Sequence, residues 1–242
     1  MIDLNNPEFA DVDPLKEKYS EAICEIPFRE SITDHSKIAL LVIDMQYLDA
    51  AEGYGVFSRD DNGVPKEARE YYFKTLKEEV VPNIRKLQDT FRKHSMEIIH
   101  TRIQCLTMDG RDRSPGHKRL GLIATPGSRE ADFLEEVAPQ GDEIIINKTA
   151  SGVFNASNIH YILRNMGISA LYVAGVYTNE CVSTTIRDGS DLGFSMTLIE
   201  DATTTVTPTL QENTVSVLRD RYARIVTTND AIDELNKYME NC

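Results

Sequence analysis

The fold is decided by the stretch Ile38-Ala39-Leu40-Leu41-Val42-Ile43-Asp44, in which six apolar residues lead to one acidic residue. A short run of Ile, Leu and Val without polar interruption is typical of a strand that is buried on both faces of a parallel sheet. Comparable runs follow at residues 97–101, 143–146, 170–174, 195–199 and 224–227. Apolar residues spaced three and four apart predict helices between these runs, at residues 66–94, 157–165, 180–192, 208–221 and 231–239. This alternation predicts an α/β fold in which helices cover both faces of a parallel sheet.

Composition and charge restrict the possible partners. The chain of 242 residues carries a formal net charge of −13, which would repel phosphate backbones and anionic membrane surfaces. No apolar run approaches the roughly 20 residues of a membrane helix, and the first ten residues lack the pattern of a signal peptide, so we expect a cytoplasmic protein. The four cysteines show no CxxC spacing, which argues against a zinc site and a disulfide framework. We therefore expect a small-molecule substrate and no nucleic-acid or membrane partner.

Two segments interrupt the alternation of strands and helices. Residues 1–37 are polar and contain Pro7, Pro14 and Pro27, so we expect an N-terminal arm that wraps the domain or a partner subunit. Residues 102–141 are rich in glycine, proline and charge, and a connection of this length inside a compact domain is usually a lid or a binding loop. The sequence therefore predicts one domain over residues 38–242, with a lid at about 102–141.

Polar residues follow two of the predicted strands. Asp44 ends the first apolar run, and Lys148 comes shortly after the run at 143–146. Ligands of α/β sheets bind beyond the carboxyl ends of the strands, so both side chains fall where an active site is expected. Each has an ordinary alternative, because Asp44 could cap the next segment and Lys148 could simply be solvated.

Cys181 is the strongest single candidate for a nucleophile. The strand at 170–174 runs through Gly175-Val176-Tyr177 into a helix for which Thr178 is the expected N-cap, so Cys181 lies in the first turn. At that position the helix dipole and free backbone N–H groups lower the pKa of a thiol and bind an oxyanion. The alternative is a small buried apolar residue, which is the usual role of a free cysteine.

Asp44, Lys148 and Cys181 together supply a base, a cation and a nucleophile at one edge of the predicted sheet. We expect Asp44 to accept the thiol proton, Cys181 to attack a carbonyl carbon, and backbone N–H groups to hold the oxyanion. Asp44 would then protonate the leaving amine, and water would release the acyl group from a thioester. These steps require no metal ion and no organic cofactor.

Four segments carry a recognisable pattern: Leu40-Leu41-Val42-Ile43-Asp44-Met45-Gln46, Lys148 with Ser151-Gly152-Val153-Phe154, Ala174-Gly175-Val176-Tyr177-Thr178-Asn179-Glu180-Cys181-Val182, and Leu198-Ile199-Glu200-Asp201-Ala202. In this order they resemble the isochorismatase-like cysteine hydrolases. The resemblance implies a three-layer Rossmann-like fold with a six-stranded parallel sheet, and a catalytic triad of Asp44, Lys148 and Cys181. It also implies a homodimer or homotetramer, and a cis peptide between Val176 and Tyr177 that places the Tyr177 N–H beside that of Cys181 as an oxyanion hole.

Differences from the relatives narrow the expected activity. Nicotinamidases carry an Asp-x-His metal motif shortly after the first strand, whereas residues 47–63 contain no histidine, so we expect neither nicotinamidase activity nor a bound metal. Isochorismatases proper cleave a vinyl ether without the cysteine, so an intact Cys181 favours amide hydrolysis. The closest branch is that of biuret hydrolase, ureidoacrylate amidohydrolase and N-carbamoylsarcosine amidohydrolase. Two alternatives stay open, a vinyl ether hydrolase and a catalytically idle binding protein of the same fold.

Polar and aromatic side chains around the predicted site are candidates for substrate binding. They are Gln46, Tyr47, Tyr54, Phe57, Arg102, Gln104, Lys118 and Arg221. Such groups suit a small planar substrate with several carbonyl or amide groups. The charged run at 109–113 could instead form a salt network. His117 and His160 are expected to be structural.

Overall fold

A computed structural model describes residues 37–58 and 63–240, together with Lys18. The predicted N-terminal arm at 1–37 therefore lies outside the described residues, apart from Lys18 and Lys37. The predicted hydrolase domain from residue 38 onward contains the strands and helices given below.

The described residues form one sheet of six parallel strands in the order β3-β2-β1-β4-β5-β6. The strands are β1 (Ile38–Ile43), β2 (Glu97–Ile103), β3 (Ile144–Lys148), β4 (Ala170–Val176), β5 (Ser195–Thr204) and β6 (Arg224–Val226). The predicted six-stranded parallel sheet is confirmed. The strand order reverses between β1 and β4, and a crevice opens at the carboxyl ends of the strands at such a reversal.

Helices connect the strands across both faces of the sheet. They are α1 (Tyr47–Ala50), α2 (Lys66–Thr75), α3 (Val81–Lys93), α4 (Pro115–Leu120), α5 (Ile159–Asn165), α6 (Ser183–Asp191), α7 (Pro208–Leu218) and α8 (Thr228–Glu240). A π-helical turn, Leu76–Val80, joins α2 to α3, and a second, Thr178–Val182, precedes α6. Single 3-10 turns occur at Gly55–Phe57, Arg129–Ala131 and Glu135–Val137. None of the described helices combines the length and the apolar character needed to span a bilayer.

Separate apolar layers cover the two faces of the sheet. Successive side chains of a strand point to opposite faces, so Leu40 and Val42 of β1 pack with α2, α3 and α8, while Leu41 and Ile43 pack with α5, α6 and α7. Every residue of β1 is at most 2% exposed, which explains the uninterrupted apolar run in the sequence. The central strand is therefore fixed from both sides, and it positions the residue that follows it, Asp44.

Candidate active site

Three side chains meet at the carboxyl edge of the sheet, where the strand order reverses. Asp44 directly follows β1, Lys148 is the last residue of β3, and Cys181 lies in the π-helical turn after β4. The Lys148 Nζ lies 2.7 Å from Asp44 Oδ2 and 3.4 Å from Cys181 Sγ. The side chains of Asp44, Lys148 and Cys181 are 0%, 0% and 2% exposed, respectively. A carboxylate, an ammonium and a thiol thus form one contiguous buried cluster, with the ammonium in contact with both partners.

The Asp44 carboxylate is held at both oxygens. Its backbone N–H donates to Thr101 O at 3.0 Å, which extends the pairing of β1 with β2 by one residue. The φ angle of Asp44 is 52°, so the chain turns sharply at this residue. The Thr101 hydroxyl donates to Oδ1 at 2.9 Å, while Lys148 approaches Oδ2. The carboxylate therefore has a fixed direction, toward the ammonium that also contacts the thiol.

Gly175 allows β4 to approach β1 closely below this cluster. Its φ is 113°, and a Cβ built on it would lie 2.0 Å from Ile43 O. The pairing of β4 with β5 also shifts its register between Val173 and Gly175. A side chain at position 175 would push apart the two strands that carry Asp44 and Cys181 into the site.

The Lys148 ammonium has three polar contacts inside the protein. Besides Asp44 and Cys181, its Nζ contacts Ala150 O at 3.0 Å. Burial by itself lowers the pKa of Lys148, but the interactions with Asp44 and then with Cys181 outweigh burial and raise the pKa above the ordinary value of a lysine. Lys148 therefore stays positively charged at neutral pH.

The Cys181 thiol is protonated in the resting protein. Burial raises the pKa of the thiol well above its usual value, the Lys148 ammonium lowers it, and the neighbouring carboxyl groups of Asp44 and Asp49 raise it further. The lowering of the thiol pKa that the helix start predicts is thus outweighed by burial. The thiol could act as a nucleophile only after a base had removed its proton, and the nearby Asp44 carboxylate contacts the same ammonium as the thiol does.

The turn that carries Cys181 begins differently from the sequence prediction. Tyr177 is the N-cap, with extended φ and ψ of −85° and 144°, and Thr178 is already the first helical residue. The predicted Thr178 cap is wrong, because the hydroxyl of Thr178 is buried and has no hydrogen-bond partner in the described part of the chain. The Val176–Tyr177 peptide is cis. The oxyanion hole at the N–H groups of Tyr177 and Cys181 stays a prediction.

An aromatic cluster supports the chain at Tyr177. The hydroxyls of Tyr177 and Tyr72 both donate to Asp49 O at 2.8 Å. The rings of Phe57 and Tyr72 stack with their centroids 5.1 Å apart. Phe57 is 1% exposed and belongs to the core that backs the site, and the substrate contact predicted for it stays a prediction.

Gln46 and Arg102 fasten the segment after β2 to the sheet edge. The Gln46 amide nitrogen donates to Ile103 O at 3.0 Å and Glu130 O at 2.8 Å, and its oxygen accepts from the Ile103 N–H at 2.5 Å. Arg102 donates to Asn147 Oδ1 at 2.8 Å and to Ala131 O, in the predicted lid, at 3.0 Å. These polar groups therefore have partners within the protein, and the substrate contacts predicted for both residues stay predictions.

A substrate contact stays a prediction for Tyr47, Tyr54, Gln104, Lys118 and Arg221. The backbone N–H of Gln104 donates to Lys148 O at 3.0 Å, which places Gln104 next to the end of β3. The rings of Tyr47 and Tyr54 pack edge to face with their centroids 5.3 Å apart. Lys118 and Arg221 are exposed.

The predicted lid is held in shape by hydrogen bonds of its own. Asp112 accepts from Leu106 N at 2.8 Å and from the Thr107 hydroxyl at 2.6 Å, and these bonds lower the pKa of Asp112 to about 2. Arg111 pairs with Asp109 at 3.2 Å. The charged run at 109–113 therefore forms a local salt and hydrogen-bond network, which is the alternative that the sequence left open.

Two buried polar residues near the cluster, Asp49 and His117, are not among the predicted site residues. His117 is 5% exposed, and its Nδ1 has no hydrogen-bond partner within the described residues. Burial lowers the pKa of His117 and the Lys148 cation lowers it further, so the imidazole is neutral. Among the described residues, no group of three or more His, Cys, Asp or Glu side chains is arranged to hold a metal ion.

The chain is similar to known proteins in sequence and in fold. The family model described as the isochorismatase domain matches residues 38–230. The uncharacterized isochorismatase family protein YwoC of Bacillus subtilis is 27% identical over 205 residues, which cover 84% of this chain and 96% of that protein. Ureidoacrylate amidohydrolase RutB of Agrobacterium fabrum is 33% identical over 112 residues, which cover 46% of this chain and 49% of that protein. The crystal structure of a cysteine hydrolase from Pseudomonas syringae has the same fold, with a TM-score of 0.70 at 20% identity over 88% of this chain and 98% of that chain.

Proposed function

The chain belongs to the isochorismatase family, and we propose that it is a hydrolase that cleaves a C–N amide or carbamoyl bond of a small polar substrate. The observation that carries the proposal is the position of Lys148 Nζ, which lies 2.7 Å from the Asp44 carboxylate and 3.4 Å from the Cys181 thiol. A nucleophile, a proton acceptor and a fixed positive charge in one buried cluster are the groups that acyl transfer through a cysteine requires.

The first half of the reaction forms a thioester. Asp44 takes the thiol proton, and Cys181 Sγ attacks the substrate carbonyl carbon, whose oxygen becomes an oxyanion. We assign the backbone N–H groups of Tyr177 and Cys181 to hold that oxyanion. The C–N bond then breaks, and the proton held by Asp44 moves to the leaving nitrogen, which departs as ammonia or an amine.

The second half returns the enzyme to its starting state. A water molecule gives a proton to Asp44 and attacks the thioester carbon. The C–S bond breaks, the product acid leaves, and the proton on Asp44 returns to Cys181. Lys148 stays positively charged throughout, because its raised pKa reflects the negative charge that its two partners exchange.

The sequence relatives favour amide hydrolysis over the alternatives. The amidohydrolase RutB acts on ureidoacrylate by its name, and it matches just under half of this chain, so a carbamoyl group is the first substrate class to test. A vinyl ether hydrolase would need Asp44 and not Cys181. A binding protein of the same fold would need neither.

We also propose the setting in which this site works. Residues 1–37 form an arm, residues 38–242 form the hydrolase domain, and the segment at about 102–141 acts as its lid. The tethering of that segment by Gln46, whose amide bonds to Glu130 O at 2.8 Å, supports the lid assignment. The protein works as a cytoplasmic homodimer or homotetramer without a cofactor.

Ammonia release from a panel of small amides tests the proposed activity. The panel contains biuret, triuret, ureidoacrylate, N-carbamoyl amino acids and maleamate. We expect Cys181→Ala to reduce turnover by about 10⁴-fold or more, because the nucleophile is removed. Cys105→Ala, which alters the other buried free cysteine in the described residues, is the matched control and should keep its activity. Full activity of Cys181→Ala in this assay would refute the thioester mechanism. A vinyl ether hydrolase would release no ammonia from the panel, and its ether cleavage would be lost in Asp44→Ala but not in Cys181→Ala.

A further inference from the structure

A second buried carboxyl group lies beside the cluster, and one of its oxygens has no hydrogen-bond partner in the described residues. Asp49 belongs to α1, which begins three residues after Asp44, and it is 3% exposed. Its Oδ2 is buried and makes no hydrogen bond to any described residue. Its backbone oxygen accepts from the hydroxyls of Tyr72 and Tyr177 at 2.8 Å each, so Asp49 is fixed beside the residue that caps the Cys181 turn.

The charges around Asp49 favour its neutral form. Burial raises the pKa of Asp49 well above its usual value, and the negative charge of Asp44 raises it further. Lys148 lowers the pKa and Glu180 raises it, but neither reverses the direction. Asp49 also interacts electrostatically with three other titratable groups, those of Tyr72, Tyr177 and Cys181. Asp49 is therefore a carboxylic acid at neutral pH, and a carboxylic acid has one O–H donor and one carbonyl acceptor.

Two further unpaired polar atoms accompany Asp49 at this edge of the sheet. They are the Nδ1 of His117 and the hydroxyl of Thr178, and both are buried. A buried polar atom without a partner costs about 1–3 kcal/mol, so such atoms are uncommon in folded proteins. Several of them around one reactive cluster indicate that a polar molecule completes their hydrogen bonds.

We propose that Asp49 selects the substrate by binding an uncharged carboxamide or ureido group next to the carbonyl that Cys181 attacks. This inference rests on the proposed function and names its substrate class. The N–H of a carboxamide fits the carbonyl of the acid, and the carboxamide oxygen fits its O–H, so the two groups form a closed pair of hydrogen bonds. A carboxylate has no donor for the acid carbonyl, and its charge would lie beside Asp44. The preferred substrate is therefore neutral and carries at least two carbonyl-amide units.

Alkylation of Cys181 measures this preference without turnover. Iodoacetamide and iodoacetate differ only in a carboxamide against a carboxylate; in both reactions the S–C bond forms, iodide leaves and the thiol proton is lost. The rate at Cys181 is followed by mass spectrometry of its peptide, and the ratio of the two rates is divided by the ratio for N-acetylcysteine. We expect the wild type to prefer iodoacetamide by about tenfold or more, the size of one hydrogen bond.

Two substitutions of nearly equal shape separate the causes of that preference. Asp49→Asn keeps a donor and an acceptor without a charge, so it should retain the preference within about threefold. Asp49→Leu removes both, so its normalised ratio should fall about tenfold below that of the wild type, and Asp49→Ala, which also lacks a donor and an acceptor, serves as a second truncation if the leucine variant does not fold. Circular dichroism checks the fold of each variant, and Cys181→Ala confirms the modified site.

Each other outcome overturns the inference. A wild type without preference, or a truncated variant that keeps it, shows that Asp49 does not bind the carboxamide. Loss of the preference in Asp49→Asn shows that a charged Asp49 repels iodoacetate instead. The proposed hydrolase activity fails independently, by the lack of ammonia release from the amide panel.

Discussion

Replacing Lys148 by methionine tests whether its buried ion pair with Asp44 holds the site together. The two charged atoms are 2.7 Å apart, and both side chains are fully buried. At an effective dielectric constant of about 20, unit charges at this distance attract by about 6 kcal/mol, while removing each ion from water costs several kcal/mol. Lys148→Met leaves a buried carboxylate without its cation, so we expect the free energy of unfolding to fall by about 3–5 kcal/mol.

A double-mutant cycle isolates the pair. Asp44→Asn alone leaves a buried ammonium and should cost a similar amount, whereas Asp44→Asn/Lys148→Met removes both charges and should lie within about 2 kcal/mol of the wild type. Urea unfolding is followed by circular dichroism and by the fluorescence of the ten tyrosines, since the chain has no tryptophan. A coupling energy below about 1 kcal/mol would contradict a buried ion pair.

The same experiment needs a suitable pH and a control at a surface ion pair. Because the pKa of Lys148 is raised in the folded protein, its contribution is fully present below the ordinary lysine value of about 10.4 and is lost only as the pH rises above it. Measurement at pH 7 therefore captures the whole effect. Lys66 pairs with Glu70 at 3.5 Å, and both side chains are mostly exposed, so Lys66→Met should cost less than about 1 kcal/mol.

Two further predictions concern backbone space and proton binding. Gly175→Ala would place a Cβ 2.0 Å from Ile43 O, so the free energy of unfolding should fall by more than about 4 kcal/mol, seen in thermal unfolding or as a loss of soluble protein. Gly127→Ala meets open space at a φ of 77°, so its free energy of unfolding should fall by only about 1–2 kcal/mol. Equal losses in the two variants would refute the close approach of β4 to β1. Burial, and then the charge of Asp44, raises the pKa of Asp49, so wild-type stability should fall by up to about 1.4 kcal/mol per pH unit as the pH rises above about 3.9, until the raised pKa is reached. Asp49→Asn removes this slope. If urea unfolding shows the same change in the free energy of unfolding between pH 5 and pH 7 for the wild type and for Asp49→Asn, a neutral Asp49 is contradicted.

The sheet was predictable because its strands are buried on both faces. The apolar run at 38–43 coincides with β1, since burial on both faces leaves no polar positions. The run at 195–199 is only half of β5, which continues to Thr204 through Glu200 and Asp201. Asp201 is polar because its carboxylate accepts from the N–H and hydroxyl of Thr228 at 2.7 and 2.8 Å. That partner is 27 residues away, so no local pattern indicates that the strand continues.

The long helix predicted at 66–94 shows a similar limit. Its apolar spacing is helical throughout, but the structure has a π-helical turn at Leu76–Val80 between α2 and α3. Pro82 is the second residue of α3 and has no backbone N–H, so one continuous α-helix cannot pass through it with every hydrogen bond intact. The spacing of apolar side chains predicts that a helix forms, but it does not predict whether the hydrogen bonds inside that helix are α-helical or π-helical.

In the candidate site, too, local sequence patterns identified some residues, while those whose role depends on tertiary structure were missed. Asp44, Lys148 and Cys181 were found because strand ends and a helix start can be recognised locally. Asp49 and His117 were missed because their importance depends on burial, and His117 belongs to α4, far along the chain from β1. The protonated state of the Cys181 thiol is also a tertiary property, since burial outweighs the local effect of the helix start.

In the proposed mechanism, the arrangement of the three central groups explains how a buried thiol is activated. Charging an isolated thiol in this interior would be opposed by the same burial that raises its pKa. Asp44 and Lys148 already form a neutral pair, so proton transfer from Cys181 to Asp44 moves a negative charge from carboxylate to sulfur without adding one. Lys148 contacts both positions of that charge, at 2.7 and 3.4 Å, and needs no large movement to follow it. In the proposed mechanism the fixed ammonium therefore replaces the solvent that would otherwise stabilise the thiolate, so its distance to both partners matters more to the proposed chemistry than the resting pKa of the thiol.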